Sequence, residues 1–549
     1  MKPFPVAAAL RFCVLLAGFS LLTALFFWPV VAHPAAQLLG PPEDNYQDFW
    51  NSWYAARGHA DGFFFTRLIF YPEGASLTYH FFAYPQIALV WGLSKIFGTA
   101  LPTLIALQNL TILLSFPLAG VSGFYLCRHL TGSSIGALAG GFILAFNPAH
   151  VAQAMHHAHV AGIEFLPAFV LCYLIGLERK SWAWLAGAAG FYALSALSCW
   201  YYLFYGFYYL CFHLLYLRVH QHKWPRGWGL VAPASVTAAT ALLLSPLIIP
   251  MLAAGTHEAA YQPGGNIFVA DMLAWTAFPP THLLADWSVS LYRRFTGDAW
   301  EATVYLGLAN MALLALGFVL AKDRRVLWYA MGGMIFFAVL ASGDALHWAG
   351  ATLPVHMPGI VLSQLPFFAN VRTPARAVVF VYLFLGIGVA GAIAALKMQH
   401  EIWSRAAVTV LAFLMLLDFA PARIATAPLT CAPELAVLAR DSGTFGVLDL
   451  PSGYVEINSY MAAQACHGRP IAQGIIARKL DASLIDHLEK KDTARQREQL
   501  QKAGVKYILL HKPKDGLYAW TGYDGSEAAW RQNYQAVMDG PAMSVLQVY

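Results

Sequence analysis

Three carboxylates, those of Glu43, Asp44 and Asp48, follow the first apolar run of the chain within about a dozen residues. The run covers residues 11–32 and is as long as the roughly 20 apolar residues that cross a bilayer. The acids are therefore expected near the far membrane face, where ionisable groups are costly and mark functional sites by default. A carboxylate within hydrogen-bond reach of a hydroxyl can act as a general base. We take all three as candidate catalytic residues.

The spacing of these acids favours a helix that begins beside them. Asp44 and Asp48 are four residues apart and would share one helix face. The aromatic residues that follow predict an amphipathic helix lying on the membrane surface. A purely structural interpretation competes with catalysis: Asp44 or Asn45 caps this helix, and Trp50 and Trp53 anchor it at the interface. Composition alone leaves both interpretations open.

A cluster of histidines lies between two later apolar runs: His150, His156, His157 and His159, with Glu164 just inside the next run. Imidazoles at such spacings could bind a divalent cation, but they lack the compact ligand pattern of a dedicated zinc site. We therefore favour His156 and His159 as hydrogen-bonding residues of a substrate pocket and assign no metal ligand.

The composition is that of a helical membrane protein. Hydrophobic residues make up 58% of the 549 residues and charged residues only 11%, whereas soluble domains carry about 25% charged residues. Mean hydropathy is +0.54. The net charge of +5 is too small for a chain of this length to indicate nucleic-acid binding.

Eleven apolar runs predict about eleven transmembrane helices, at residues 11–32, 103–127, 133–148, 159–177, 182–197, 200–217, 229–253, 302–321, 326–342, 375–396 and 403–420. The first run could instead be a cleaved signal peptide. Its length and bulky flanks favour a retained span.

Basic residues orient these runs. With a cytoplasmic N-terminus, alternate short connections, from Arg128 to Arg405, carry lysines and arginines, as the positive-inside rule requires. The opposite side then receives the long loops 33–102, 254–301 and 343–374. An odd number of spans also places the C-terminal residues outside the cytoplasm.

Residues 421–549 differ in character from the membrane domain of residues 1–420. Strand-like runs begin at Phe445, Val505 and Met543, and a polar stretch between them has helical periodicity over 481–503. This alternation predicts a small extracytoplasmic α/β domain.

Two of the seven cysteines, Cys431 and Cys466, lie in this C-terminal region. They could pair, because the compartment outside the cytoplasm is oxidising. Two cysteines alone leave the pairing open.

Short motifs are spread over the whole chain: EDNYQDFWNSWY at 43–54, LIFYPEG at 68–74, FNPAH at 146–150, HHAH at 156–159, RTPAR at 372–376 and LDLP at 448–451. Together they resemble the motifs of GT-C superfamily membrane glycosyltransferases, and they are most similar to those of the bacterial YfhO-like polytopic group. The resemblance implies a GT-C-like fold in the bacterial inner membrane.

The resemblance also implies a reaction. Members of the superfamily take a sugar from a polyprenyl-phosphate carrier and use an acid of the first outer loop as base. The acceptor would be a glycan, lipid or protein outside the cytoplasm, and the displacement would invert the anomeric centre. Asp44 corresponds to the family's acid. Glu43 stands where many relatives have glycine, so the choice among Glu43, Asp44 and Asp48 stays open.

The donor phosphate requires cations near the outer face. Arg372 and Arg376 flank Pro374 just before an apolar run, and the planar arginine fork suits phosphate oxygens. Alternatively, both arginines anchor lipid headgroups or cap the span. Trp50 is counted with the substrate-binding residues, and a divalent cation could assist the leaving phosphate.

Two other classes of protein compete with an enzyme: a transporter or flippase of lipid-linked sugars, and a non-catalytic membrane scaffold. Transporters often carry ionisable groups near the membrane midplane. Here the polar residues concentrate in the outer loops instead, which favours chemistry at one membrane surface.

Overall fold

The computed structural model describes residues 6–59, 62–253, 266–362, 364, 371–397, 401–476, 484–513, 518, 520 and 526–549. Its helices up to residue 419 are α1 (Val6–Phe26), α2 (Trp28–Ala32), α3 (Asp44–Ala56), α4 (Tyr84–Phe97), α5 (Leu101–Thr131), α6 (Ser134–Phe146), α7 (Pro148–His156), α8 (Phe165–Arg179), α9 (Trp182–Ser198), α10 (Tyr201–Gln221), α11 (Trp228–Ala253), α12 (Val289–Tyr292), α13 (Leu308–Leu320), α14 (Arg325–Ala341), α15 (Gly359–Leu362), α16 (Val378–Lys397) and α17 (Glu401–Phe419). The later helices are α18 (Ala436–Arg440), α19 (Tyr454–His467), α20 (Leu484–His487), α21 (Thr493–Lys502) and α22 (Glu527–Asn533). The strands are β1 (Gln37–Leu39), β2 (Phe65–Thr66), β3 (Ala75–Ser76), β4 (Ala345–Trp348), β5 (Ala351–His356), β6 (Thr426–Pro428), β7 (Gly446–Leu450), β8 (Val505–His511), β9 (Gln535–Asp539) and β10 (Met543–Gln547).

Each of the eleven apolar runs contains a helix. Five helical segments in the described ranges are long and apolar enough to cross a membrane: Ala7–Phe26, Leu101–Thr131, Ser134–His156, Trp228–Ala253 and Pro374–Leu396. Shorter apolar helices cover Leu308–Leu320, Arg325–Ala341 and Thr409–Phe419. The chain is thus a mostly helical membrane protein, whereas the number of eleven spans stays a prediction.

Small residues bring the central helices into close contact. A Cβ atom on Gly140 of α6 would lie 2.8 Å from the carbonyl oxygen of Gly386 in α16, and one on Gly141 would lie 2.5 Å from that of Gly120 in α5. Only glycine allows backbones to approach this closely, as at small-residue interfaces of membrane helices. The helix pair α6–α7, which positions the histidine cluster, is therefore held firmly between α5 and α16.

A four-stranded sheet in the order β7-β8-β10-β9 forms the centre of the C-terminal region. β7 runs parallel to β8, and the other neighbours are antiparallel. The three strand-like runs of the sequence are β7, β8 and β10. β9 was not predicted, because all five of its residues are exposed and its sequence lacks apolar alternation.

The polar stretch 481–503 is not one helix in its described part, which begins at residue 484. It forms α20 and α21, separated by a turn. The Glu489 side chain accepts backbone N–H bonds from Lys490 and Lys491, and Asp492 caps α21. These local side-chain bonds compete with helical hydrogen bonding and break the predicted helix.

The C-terminal region packs directly on the first outer loop. β1 pairs with β6, and Tyr71 donates a backbone hydrogen bond to Ile471, whose own N–H bonds to Leu68. Residues from α3 and from the C-terminal sheet also share one buried apolar cluster. The domain boundary at 420 stays a prediction, and side chains from both sides of it share a core.

Cys431 and Cys466, whose pairing the sequence left open, form a disulfide. Their separation of 35 residues corresponds to a stabilisation of about 4 kcal/mol if the bond mainly restricts the unfolded chain.

We therefore expect the double change Cys431→Ser and Cys466→Ser to lower the free energy of unfolding by about that amount, in denaturant unfolding of the full chain. Cys13→Ser, at an exposed free thiol, is the control. Equal unfolding midpoints for both variants would contradict the prediction.

Candidate active site

Helix α3 carries Asp44 and Asp48, with Glu43 at its N-cap position, and is buried rather than lying on a membrane surface. Residues from Asn45 to Ala56 are all buried, because the helix packs against α19 of the C-terminal region as well as α4 and α5. The surface-helix prediction is therefore wrong. It could not anticipate a second layer of protein over the helix.

Trp50 has no exposed surface. Its indole N–H donates to Gln464 Oε1 at 2.7 Å, and its ring stacks on Tyr54 with centroids 5.0 Å apart. Trp50 therefore joins α3 to α19, and its burial removes it from the substrate-binding set.

The capping interpretation of the acids is also not observed. The N-cap position of α3 is Glu43, and its side chain makes no capping hydrogen bond. Asn45 instead ties α3 to α7: its amide donates to the carbonyls of Ala154 and Met155, and its oxygen accepts the N–H of Ala158. These bonds fix the start of α3 against the turn that carries the histidines.

Each candidate acid faces one histidine of residues 156–159, the histidine turn, which comprises the last residue of α7 and the turn that follows it. Glu43 Oε2 lies 3.1 Å from His156 Nδ1, Asp44 Oδ2 lies 3.2 Å from His157 Nε2, and Asp48 Oδ2 lies 3.3 Å from His159 Nδ1. The side chains are 44%, 23% and 5% exposed for Glu43, Asp44 and Asp48 respectively. Asp44 is therefore both firmly held and reachable, whereas Asp48 is enclosed.

His157 links Asp44 to residues that the sequence analysis did not select. Its Nδ1 lies 2.8 Å from Gln153 Oε1 and 3.6 Å from Glu301 Oε1. Gln153 also donates to Glu301 Oε2 at 3.0 Å. Glu301 is the last residue of the segment 254–301, which the sequence predicts as an outer loop, and it is buried.

Arg376 completes this network. Its guanidinium makes two contacts with Glu301 Oε1, one of them from Nε at 2.9 Å, and lies 4.9 Å from the centre of the Tyr201 ring. The 3₁₀ turn Pro374–Ala377 positions it. Tyr205 holds that turn by donating to the carbonyl of Thr373 at 3.2 Å. The network thus alternates in charge: Asp44, His157, Glu301, Arg376.

A cavity lies at the Arg376 end of this network. Its lining includes Gln153, Glu301 and Arg376, together with His150 and Tyr202 deeper in the bundle. Arg372, the other predicted phosphate ligand, precedes the 3₁₀ turn and is half-buried. The structure brings Arg376 into the hydrogen-bond network of the acids through Glu301.

The C-terminal region reaches Asp44 from the opposite side. The Tyr454 hydroxyl and the Asn458 amide of α19 both donate to Asp44 Oδ1 at 3.3 Å. Asp44 is consequently the point where α3, the histidine turn and α19 meet.

The surroundings of Asp44 and His157 favour their charged forms. Burial alone would raise the pKa of Asp44, but the hydrogen bond from His157 and the nearby charges of His159 and Arg376 outweigh it, and the pKa is lowered. Burial likewise disfavours charged His157, but Asp44 and Glu301 outweigh it, and the pKa of His157 is raised. Burial alone would raise the pKa of Glu301, but the charge of Arg376, the largest opposing cause, and that of His157 outweigh it, and the pKa is lowered.

These directions predict a pH dependence of stability. The folded pKa of His157 lies above 6.5, so its contribution is complete below pH 6.5 and is lost as pH rises through the raised pKa. The folded pKa of Asp44 lies below 3.8, so its contribution is present above pH 3.8 and is lost as pH falls through the lowered pKa.

We expect the melting temperature to fall as pH rises above 6.5, and this fall to be absent in His157→Gln. Melting curves across that range test it, with His129→Gln at the more exposed His129–Glu178 pair as control. The same alkaline loss in His157→Gln would contradict the prediction.

Within the described ranges, no group of three or more His, Cys, Asp or Glu side chains is arranged to hold a metal ion. The carboxylates of α3 are instead matched one to one with imidazoles. His150, further from them, bonds to Ser115 and to the carbonyls of Ala145 and Ala161.

The structure brings together Glu43, Asp44, Asp48, His156, His159 and Arg376 among the predicted site residues. It adds Glu301, Gln153, His157 and Asn458. Gln153 and His157 lie four residues apart, a spacing that pairs side chains on one helix face. No sequence signal pairs Glu301 with Arg376.

Comparison with solved structures shows the fold of the chain. An archaeal oligosaccharyltransferase from Archaeoglobus fulgidus superimposes with a TM-score of 0.55 at 10% identity in the apo form, over 91% of this chain and 69% of that one. AglB from the same organism, in complex with an inhibitory peptide and a dolichol-phosphate, gives a TM-score of 0.52 at 11% identity, with the same coverage. The mycobacterial arabinofuranosyltransferase AftD gives 0.60 at 12% identity, over 98% of this chain, which spans 40% of AftD.

The chain therefore has the fold of these membrane proteins. No curated protein sequence matches it. Residues 15–421 match the family described as a domain of unknown function (DUF6311), so the chain belongs to the DUF6311 family.

Proposed function

We propose that this chain is an integral membrane glycosyltransferase that moves a sugar from a polyprenyl-phosphate-linked donor to an acceptor outside the cytoplasm. The observation that carries the proposal is the carboxylate of Asp44. It is partly exposed, and side chains from the histidine turn and α19 hold it in place. A charged network joins it to a buried arginine beside a cavity.

In the reaction, the acceptor hydroxyl lies against Asp44, which takes its proton as the new bond to the anomeric carbon forms. The bond from that carbon to the phosphate oxygen breaks on the opposite face, and its electron pair stays on the phosphate. One displacement of this kind inverts the anomeric centre. The lowered pKa of Asp44 keeps the carboxylate ionised, and its proton site therefore vacant, at neutral pH.

Arg376 is the proposed ligand of the donor phosphate, since a guanidinium can bind two phosphate oxygens through parallel hydrogen bonds. It stabilises the negative charge that remains on the leaving group. Arg372, four residues earlier, is proposed as a second cation at the rim. His156 and His159 position the first and third acids, Glu43 and Asp48.

The fold supports this assignment, because its structural neighbours include an oligosaccharyltransferase and an arabinofuranosyltransferase, and one was solved with a dolichol-phosphate. The sequence motifs add the closer resemblance to the YfhO-like group. We place the protein in a bacterial inner membrane, with the N-terminus cytoplasmic and the C-terminal α/β domain outside. In that domain Tyr454 and Asn458 face the acceptor side of Asp44.

Purified protein in proteoliposomes tests the proposal with a panel of radiolabelled polyprenyl-phosphate monosaccharides and envelope extracts as acceptors. We expect label in the acceptor fraction and free polyprenyl phosphate in equal amount. Movement of intact donor between leaflets without release of polyprenyl phosphate would instead identify a flippase. If the donor is neither moved between leaflets nor used for sugar transfer, the result favours the non-catalytic scaffold.

A further inference from the structure

The guanidinium of Arg376 already has a partner in the structure. Arg376 and Glu301 pair directly, with side chains only 10% and 4% exposed. A buried arginine that is neutralised by a carboxylate binds a phosphate well only if that carboxylate gives way, because two anions on one cation repel each other. Binding of the donor phosphate at Arg376 therefore requires the Glu301 carboxylate to leave the guanidinium.

Glu301 has a second cationic neighbour within reach. Its Oε1 lies 3.6 Å from His157 Nδ1, just beyond hydrogen-bond distance. Gln153 spans the two groups, accepting from His157 Nδ1 at 2.8 Å and donating to Glu301 Oε2 at 3.0 Å. A small rotation of the Glu301 carboxylate would bring it onto the imidazole.

Other charged groups around His157 leave this exchange open. Asp44 binds Nε2 on the far side of the ring, and the ring of His159 lies 5.9 Å away edge to face. The charge of Arg376 acts on His157, and that of Asp298 acts on His156. Asp298 is in turn affected by the charges of Glu301 and His157. Among these groups, Glu301 is the carboxylate placed between His157 and Arg376.

We infer that Glu301 is a positioning residue that exchanges partners: it pairs with Arg376 before the donor binds, and it replaces Gln153 Oε1 at His157 Nδ1 when the donor phosphate takes Arg376. The exchange fixes the imidazole between two carboxylates and so orients its Nε2–H towards Asp44. Donor binding thereby prepares the base before the acceptor hydroxyl arrives. This inference rests on the proposed glycosyl transfer.

A structure of the wild-type protein in nanodiscs with undecaprenyl phosphate tests the exchange directly. We expect Arg376 to contact the phosphate and Glu301 to lie within about 3.2 Å of His157 Nδ1. A phosphate bound at Arg376 with Glu301 still paired to the guanidinium would overturn the inference.

The Glu301→Gln variant gives an independent measurement. Without the competing carboxylate, binding of undecaprenyl phosphate should become tighter, by about tenfold if Arg376 is available a tenth of the time in the wild type. The kcat of sugar transfer should nevertheless fall, by about 10²-fold, because His157 is no longer oriented. A merely structural role would weaken binding and transfer together, which would overturn the inference.

Asp323→Asn is the matched control, since it also removes a carboxylate from an arginine pair, with Arg325. Asp323 lies between α13 and α14, and its substitution should change neither the binding of undecaprenyl phosphate nor the kcat of sugar transfer.

If Glu301→Gln does not fold, the structure of the wild-type complex alone decides. Sugar transfer without partner exchange refutes only this inference, whereas a wild-type protein that neither binds undecaprenyl phosphate nor transfers sugar refutes the proposed function too.

Discussion

The Asp44→Asn variant is expected to lose sugar transfer by about 10²- to 10⁴-fold in kcat, the range that a positioned general base contributes. The amide keeps the shape of the side chain and can still bond to Tyr454 and Asn458, but it cannot accept the acceptor proton. The assay is single-turnover transfer from a polyprenyl-phosphate sugar, with folding checked by the melting temperature.

Asp48→Asn and Glu43→Gln are the matched controls, because each removes one carboxylate from a neighbouring acid–histidine pair. Glu43 is the most exposed of the three and Asp48 the least, so neither combines access to substrate with firm positioning as Asp44 does. Transfer that persists in Asp44→Asn and disappears in Asp48→Asn would move the base to Asp48.

The Arg376→Met variant is expected to lower the free energy of unfolding by about 3–5 kcal/mol, the cost of removing one partner of a buried ion pair. The loss arises because Glu301, 4% exposed, would be left as a buried carboxylate without its arginine, and His157 Nδ1, 3.6 Å away, replaces that contact only in part. Denaturant unfolding of the purified full chain measures it.

The double variant Arg376→Met with Glu301→Met should recover most of that stability, since it buries no unpaired charge. Arg325→Met, which breaks a pair with side chains 74% and 58% exposed, should cost only about 0–1 kcal/mol. A double variant as unstable as Arg376→Met would show that the arginine acts through other contacts.

Apolar runs predicted the positions of helices well because hydropathy depends on local composition. Each predicted run contains a helix, although the helix of the run 159–177 begins only at Phe165. The preceding turn was missed because His157 and His159 are stabilised by contacts with Asp44 and Asp48, more than 100 residues away in sequence. Local patterns carry no information about such partners.

The sequence identified the acids of the site because their local context is distinctive, and it missed their partners because the partners' local context is not. Carboxylates close to an apolar run are conspicuous, whereas Glu301 is one acid at the end of a long loop. Its importance comes from Arg376, 75 positions later, and from Gln153, 148 positions earlier. Trp50 shows the converse: an aromatic residue beside the acids looked like a site residue, but Gln464 and the rest of α19 cover it.

The pairing of β1 with β6, and of Leu68 and Tyr71 with Ile471, has a consequence for biosynthesis. The first outer loop leaves the ribosome hundreds of residues before the strands and the helix that cover it. Before α19 has been synthesised, Trp50 lacks the Gln464 side chain that accepts its indole N–H. A nascent chain that stops at residue 421 contains the whole DUF6311 match but lacks the hydroxyl and amide that α19 supplies to Asp44. The contacts around Asp44 are therefore complete only after Tyr454, 410 positions further along the chain, has been synthesised.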